Sequence, residues 1–137
     1  MKILCINTNG LHNDGITNNI LNYFKHMDQN NTEIHILETK ATEESMKKSC
    51  SAMGLRLVYT AHRKHVLKYL IKTALHIRRE KYDIVHVHGS SALLFLDLLA
   101  ARLGGCKIRI AHSRNTSCSH PRLDQWFRPF FITFANL

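Results

Sequence analysis

The chain has 137 residues, enough for one domain or for part of a larger protein, and long enough to bury a core. With 45% hydrophobic and 21% charged residues, two prolines and six glycines, it is neither a disordered tail nor a fibrous chain. No run of about 18 uncharged apolar residues suggests a membrane span. The net charge of +9 is one-sided: residues 1–55 hold five lysines against six acids, and residues 56–137 hold fourteen Lys or Arg against four acids. That imbalance calls for an anionic partner, whether nucleic acid, phosphorylated substrate or membrane surface.

The elements follow in order. Residues Lys2–Asn7 read as a buried strand, and Thr8–Gly15 as a polar loop with Asn-Gly and Asp-Gly turn steps. From Ile16 the apolar residues recur at helical spacing, with Asp14 or Thr17 as cap. Glu33–Leu37 is a second strand, residues 42–53 a weaker helix, and Arg56–Tyr59 a short third strand. A long helix is expected from about Lys64 to Glu80, with Val66, Leu67, Leu70, Ile71, Ala74 and Ile77 as its apolar face. Tyr82–His88 is a strand, Ala92–Leu103 a helix apolar almost all round, Gly104-Gly105 its stop, and Lys107–His112 another strand. A polar loop follows to Pro121, then an aromatic-rich end with Trp126, Phe127, Phe130, Phe131 and Phe134.

Strands alternating with helices predict an α/β fold: a Rossmann-like, doubly wound, mostly parallel sheet with helices on both faces. Residues 1–137 read as a single such domain. The apolar run at its end marks it as an N-terminal piece, incomplete at its C-terminus. The short apolar start does not make a signal peptide, so the expected location is the cytoplasm. Cys5, Cys50, Cys106 and Cys118 form no CxxC pair and read as reduced, structural thiols.

In such a sheet, ligands sit at the carboxyl ends of the strands, where the strand order reverses. Three loops leave those ends: Asn7–Gly15, His88–Ser91 and His112–Thr116. The first lacks GxGxxG, so a dinucleotide is not expected, although Gly15 at a helix start lets backbone N–H groups approach an anion. His86 and His88 share one face of their strand. With no carboxylate or cysteine at ligand spacing beside them, no metal is expected. His86 reads as packed and hydrogen-bonded, His88 as facing the cleft. His112, Ser113, Arg114, Asn115 and Thr116 offer groups suited to hydroxyl-rich or phosphorylated ligands. On the 64–80 helix, Lys64, Lys68, Lys72, His76 and Arg79 form a basic stripe that Glu80 alone cannot neutralise. Anionic lipid headgroups suit it. Nucleic acid does not, because no aromatic residues interleave with the cations.

Three segments carry a resemblance. Met1-Lys2-Ile3-Leu4 with its Gly-containing loop resembles the start of bacterial GT-B glycosyltransferases. Tyr82-Asp83-Ile84-Val85-His86-Val87-His88-Gly89-Ser90 resembles their "yDivHvH.s" strand. Ala100-Ala101-Arg102-Leu103-Gly104, followed by Ile110 to Thr116, is similar to "aar..G…iaHsHnt" of the retaining family four, of capsular and exopolysaccharide type. The resemblance implies the N-terminal, acceptor-binding domain of an enzyme that moves sugar from a nucleotide-sugar donor to a glycan or lipid-linked acceptor. The donor belongs to a second GT-B domain with an E-x7-E motif, so this half is implied to hold no cofactor and to be inactive alone. Carried over by position, Gly15 faces the donor phosphates, His112 the transferred sugar, and His88 and Ser90 line the cleft floor. Asp14-Gly15 stands where the family has paired glycines. Arg114 replaces the second histidine of "HsH" and adds positive charge on the acceptor side. Two other readings compete: a stand-alone flavodoxin-like module binding an anionic ligand at the same edge, and a basic surface-binding protein with no cleft chemistry.

Overall fold

The computed structural model describes residues 1–89 and 91–113. Five strands and four helices alternate along them: β1 (Lys2–Asn7), α1 (Gly15–His26), β2 (Glu33–Leu37), α2 (Glu44–Ala52), β3 (Arg56–Val58), α3 (Val66–Glu80), β4 (Ile84–Gly89), α4 (Ser91–Leu103) and β5 (Ile108–Ser113). All pairings are parallel, in the order β3-β2-β1-β4-β5. The expected doubly wound, Rossmann-like sheet is what forms.

The central strands are apolar on both sides because both faces are covered. On one face, Leu4 and Ile6 of β1 and Val85 and Val87 of β4 pack against Tyr69 and Ile77 of α3 and Leu94, Leu98 and Ala101 of α4. On the other, Cys5, Ile34 and Ile36 pack against Ile20, Leu21 and Phe24 of α1 and Cys50 of α2. Cys5, Cys50 and Cys106 are buried free thiols, and burial pushes the Cys5 thiol up to about 12, so it stays protonated. Cys118 and the aromatic run Trp126 to Phe134 lie outside the described residues.

Local chemistry sets the helix ends. Asp14 caps α1, its Oδ1 accepting from Thr17 N at 2.7 Å, and this starts the helix at Gly15. After α4, Gly105 turns at φ +81°, and Cys106 N donates to Ala101 O at 3.0 Å while Gly105 N donates to Arg102 O at 2.9 Å. This paired closure needs a left-handed residue, which glycine supplies without a Cβ clash.

α3 departs from expectation. It starts at Val66, so Lys64 lies ahead of it, and its buried residues are Tyr69, Thr73, Ala74 and Ile77. Val66, Leu67 and Ile71 are exposed instead. The cause is polar pairing: Tyr69 Oη donates to the buried Asp97 carboxylate at 2.5 Å, and the Thr73 and Thr60 hydroxyls meet at 2.8 Å. These bonds turn the 69–73–77 stripe inward, displacing the wholly apolar one.

Candidate functional site

The order reverses between β1 and β4, since the chain runs outward from β1 through β2 to β3 and then from β4 to β5. The register aligns Asn7 with His88, His88 with His112, and Gly89 with Ser113, so the first and fourth strand ends share one edge. Asn7 is fully buried and organises the first loop. Its Nδ2 donates to Thr17 Oγ1 (3.3 Å), its Oδ1 accepts from Asn9 N (3.1 Å), and its carbonyl accepts from Thr39 Oγ1 (2.9 Å). Thr8 N donates to His88 O at 2.9 Å, which stitches the loop to β4. Gly89 lies so close to Thr8 that any Cβ would collide with the threonine side chain. The Thr8 hydroxyl itself is buried without a partner among the described residues.

A second loop clamps the first from the α3 side. Arg63 Nη1 donates to Thr8 O at 3.2 Å and Nη2 to Asp97 Oδ2 at 2.7 Å, beneath a carboxylate that is wholly buried. Burial pushes the Asp97 carboxyl up, and Arg63 and the Tyr69 hydroxyl oppose that rise. The sequence reading missed this trio. The available signal was a lone acid in an apolar helix, which needs a cation wherever it is buried.

The three imidazoles meet on the α1 side of the sheet. His86 and His88 share the pleat face of Cys5 and Asn7, and His112 stands opposite His88 on β5. Ring centroids lie 3.9 Å apart for His86 and His88, 5.0 Å for His88 and His112, and 6.0 Å for His86 and His112. His88 is only 2% exposed, so it belongs to the floor of the edge. His86 does not make the expected hydrogen bond through Nε2, which is buried without a partner among the described residues. Burial pushes the His86 imidazole down to about 4, with the neighbouring His112 adding to the shift, so this ring is neutral at pH 7.

Gly15 is exposed at the start of α1, with open space where a Cβ would stand. The Asp14 carboxylate already occupies the Thr17 amide there. Ser90, Arg114, Asn115 and Thr116 lie outside the described residues. Lys64, Lys68, Lys72 and Arg79 are all exposed, beside an uncovered apolar ridge of Val66 (52%), Leu67 (74%), Ile71 (57%) and Leu75 (60%). No helix among the described residues is long and apolar enough to cross a membrane.

The family model for Glycosyltransferase Family 4 matches residues 13–137. Among solved structures, the binary complex of leucoanthocyanidin reductase with NADPH from Vitis vinifera is similar in fold, with a TM-score of 0.61 and 14% identity. The match covers 98% of this chain and 47% of that one, so the chain spans about half the length of that relative. At that identity the likeness is one of fold alone. No curated protein matches. The family model takes in every described element from α1 to β5, and on that coverage the chain belongs to Glycosyltransferase Family 4.

Proposed function

We propose that this chain is the acceptor-side half of a bacterial retaining sugar transferase in capsule or exopolysaccharide synthesis. The enzyme takes sugar from a nucleotide-sugar donor held by a second, C-terminal GT-B domain and passes it to a glycan or lipid-linked acceptor. The observation that carries this reading is the His88–His112 pair, 5.0 Å apart at the carboxyl edge beside a glycine that keeps the floor low. His112 faces the transferred sugar, and His88 and Ser90 line the floor. Arg114, Asn115 and Thr116 bind acceptor hydroxyls or phosphate. Gly15 faces the donor phosphates, with Asp14 limiting how many helix amides can serve them. This half needs no cofactor of its own for that role. Its contribution is to orient the acceptor and exclude water while charge on the leaving diphosphate is stabilised across the cleft.

The 137-residue chain alone is expected to transfer no sugar from any nucleotide sugar. Robust turnover by the purified chain would overturn this reading. Flavin binding in its place would favour the flavodoxin-like module.

The same reading places the protein at the cytoplasmic face of an anionic membrane, without nucleic acid as a partner. The uncovered ridge Val66, Leu67, Ile71 and Leu75 lies beside Lys64, Lys68, Lys72 and Arg79, the pairing of apolar and cationic groups that interfacial helices use. A groove of about 250 Å³ lined by Tyr59, Thr60, Lys72, Leu75, His76 and Arg79 opens on this side and suits a lipid phosphate. Replacing Lys64, Lys68 and Lys72 by Glu should abolish sedimentation with phosphatidylglycerol vesicles. Unchanged sedimentation would reduce the stripe to a solvated face.

A further inference from the structure

We propose that His86, His88 and His112 form a binding site for a divalent transition metal ion of the zinc class. Residues two apart on β4 project to one face, and the parallel register sets His112 directly beside His88. One ring nitrogen from each residue lies within 4.8 Å of the other two. In a tetrahedral site with metal–nitrogen bonds of about 2.0–2.1 Å, ligand nitrogens stand roughly 3.4 Å apart. Small side-chain rotations close that difference.

A second observation comes from the unmet hydrogen bonding of His86. Its Nε2 is buried without a partner among the described residues. A polar atom in that state carries a desolvation cost that a metal bond removes. The ligand set also selects the ion. Three imidazoles with no carboxylate among them suit zinc, cobalt, nickel or copper and exclude calcium or magnesium as preferred occupants. Cys5, aligned with His86 on the same face, is a buried thiol outside this group of mutually close nitrogens. Sequence spacing alone argued against a metal because no acid or thiol stood nearby. The β4–β5 register supplies what spacing does not show, a third imidazole within reach.

Three protein ligands leave a fourth position for water or an exogenous ligand. Metal binding engages His88 and His112, the residues assigned above to the sugar cleft, so metal and acceptor would compete for them. The site itself does not depend on the transferase reading, and its test reads metal rather than sugar transfer.

The test is titration of the protein with Co²⁺, followed by its visible ligand-field absorption. One equivalent should give the intense bands of a tetrahedral site, and Zn²⁺ should bleach them. His86→Gln and His112→Gln should each weaken Co²⁺ binding by about tenfold or more, while His26→Gln, an exposed residue on α1, should not. Circular dichroism of each metal-free variant checks the fold. If His86→Gln fails to fold, the half-buried His112 carries the test. Absence of tetrahedral bands, or bands that survive both site variants, would overturn the proposal.

Discussion

The two ends of the sheet differ in how completely their buried polar groups are paired. At the amino end, the groups are paired. Lys2 Nζ donates to Glu80 Oε2 at 2.7 Å, and Lys2 N donates to Asp83 Oδ2 at 2.7 Å. The buried His35 joins Glu33 to Tyr82: its Nε2–H donates to Glu33 at 2.7 Å, and its Nδ1 and Tyr82 Oη share a hydrogen bond at 2.6 Å. The Tyr82 oxygen in turn meets His76 Nε2 at 3.0 Å. At the carboxyl end the Thr8 hydroxyl, and in mid-sheet His86 Nε2, are buried without partners among the described residues. Buried polar atoms are almost always satisfied, and each exception asks for a cause such as a catalytic role, an ordered water or a bound ion. The carboxyl end is also braced, by the bonds of Asn7 and by Arg63 on Asp97, but beside that bracing it keeps bonding capacity in reserve.

Arg63→Ala should have the largest effect, a loss of about 3–5 kcal/mol, because it strands the buried Asp97 carboxylate. Urea unfolding measures it, and adding Asp97→Asn should recover part of the loss. Gly89→Ala should cost about 1–3 kcal/mol by forcing a methyl into Thr8. A neutral outcome would show that the carboxyl edge is looser than described. Tyr82→Phe should cost about 1–2 kcal/mol, since it removes the hydroxyl that His35 and His76 share.

The smallest effect concerns pH. The hydrogen bond from Lys2 holds the Glu80 carboxyl below its usual 4.5. A depressed carboxyl contributes stability that is fully present above the unfolded value and is lost as pH falls through the lower folded value. The melting-temperature gap between the wild type and Lys2→Met should therefore be constant at neutral pH and close as the pH drops below 4.5. A gap that widens in acid would contradict the pairing.

Much of this was legible in the sequence, for reasons that name the limits. Strands β1 and β2 were readable because continuous apolar runs between turn residues leave few alternatives. The Asp14 cap was readable because capping is local. The faces of α3 were misread because Tyr69 and Thr73 are drawn inward by partners on other elements, which periodicity does not encode. Arg63 and Asp97 stand 34 positions apart, so only the tertiary fold reveals them as a pair. The shared face of His86 and His88 followed from their spacing. The approach of His112 and the bare His86 Nε2 required the β4–β5 register.

The division of labour between the two ends is tested most directly in the two-domain enzyme proposed above, by measuring turnover and melting temperature for His112→Ala and Tyr82→Phe side by side. The account predicts that His112→Ala loses turnover while keeping its melting temperature, and that Tyr82→Phe melts earlier while each folded molecule turns over normally. Parallel losses of turnover and stability in His112→Ala would make it a packing residue and contradict the assignment of the carboxyl edge as the working end.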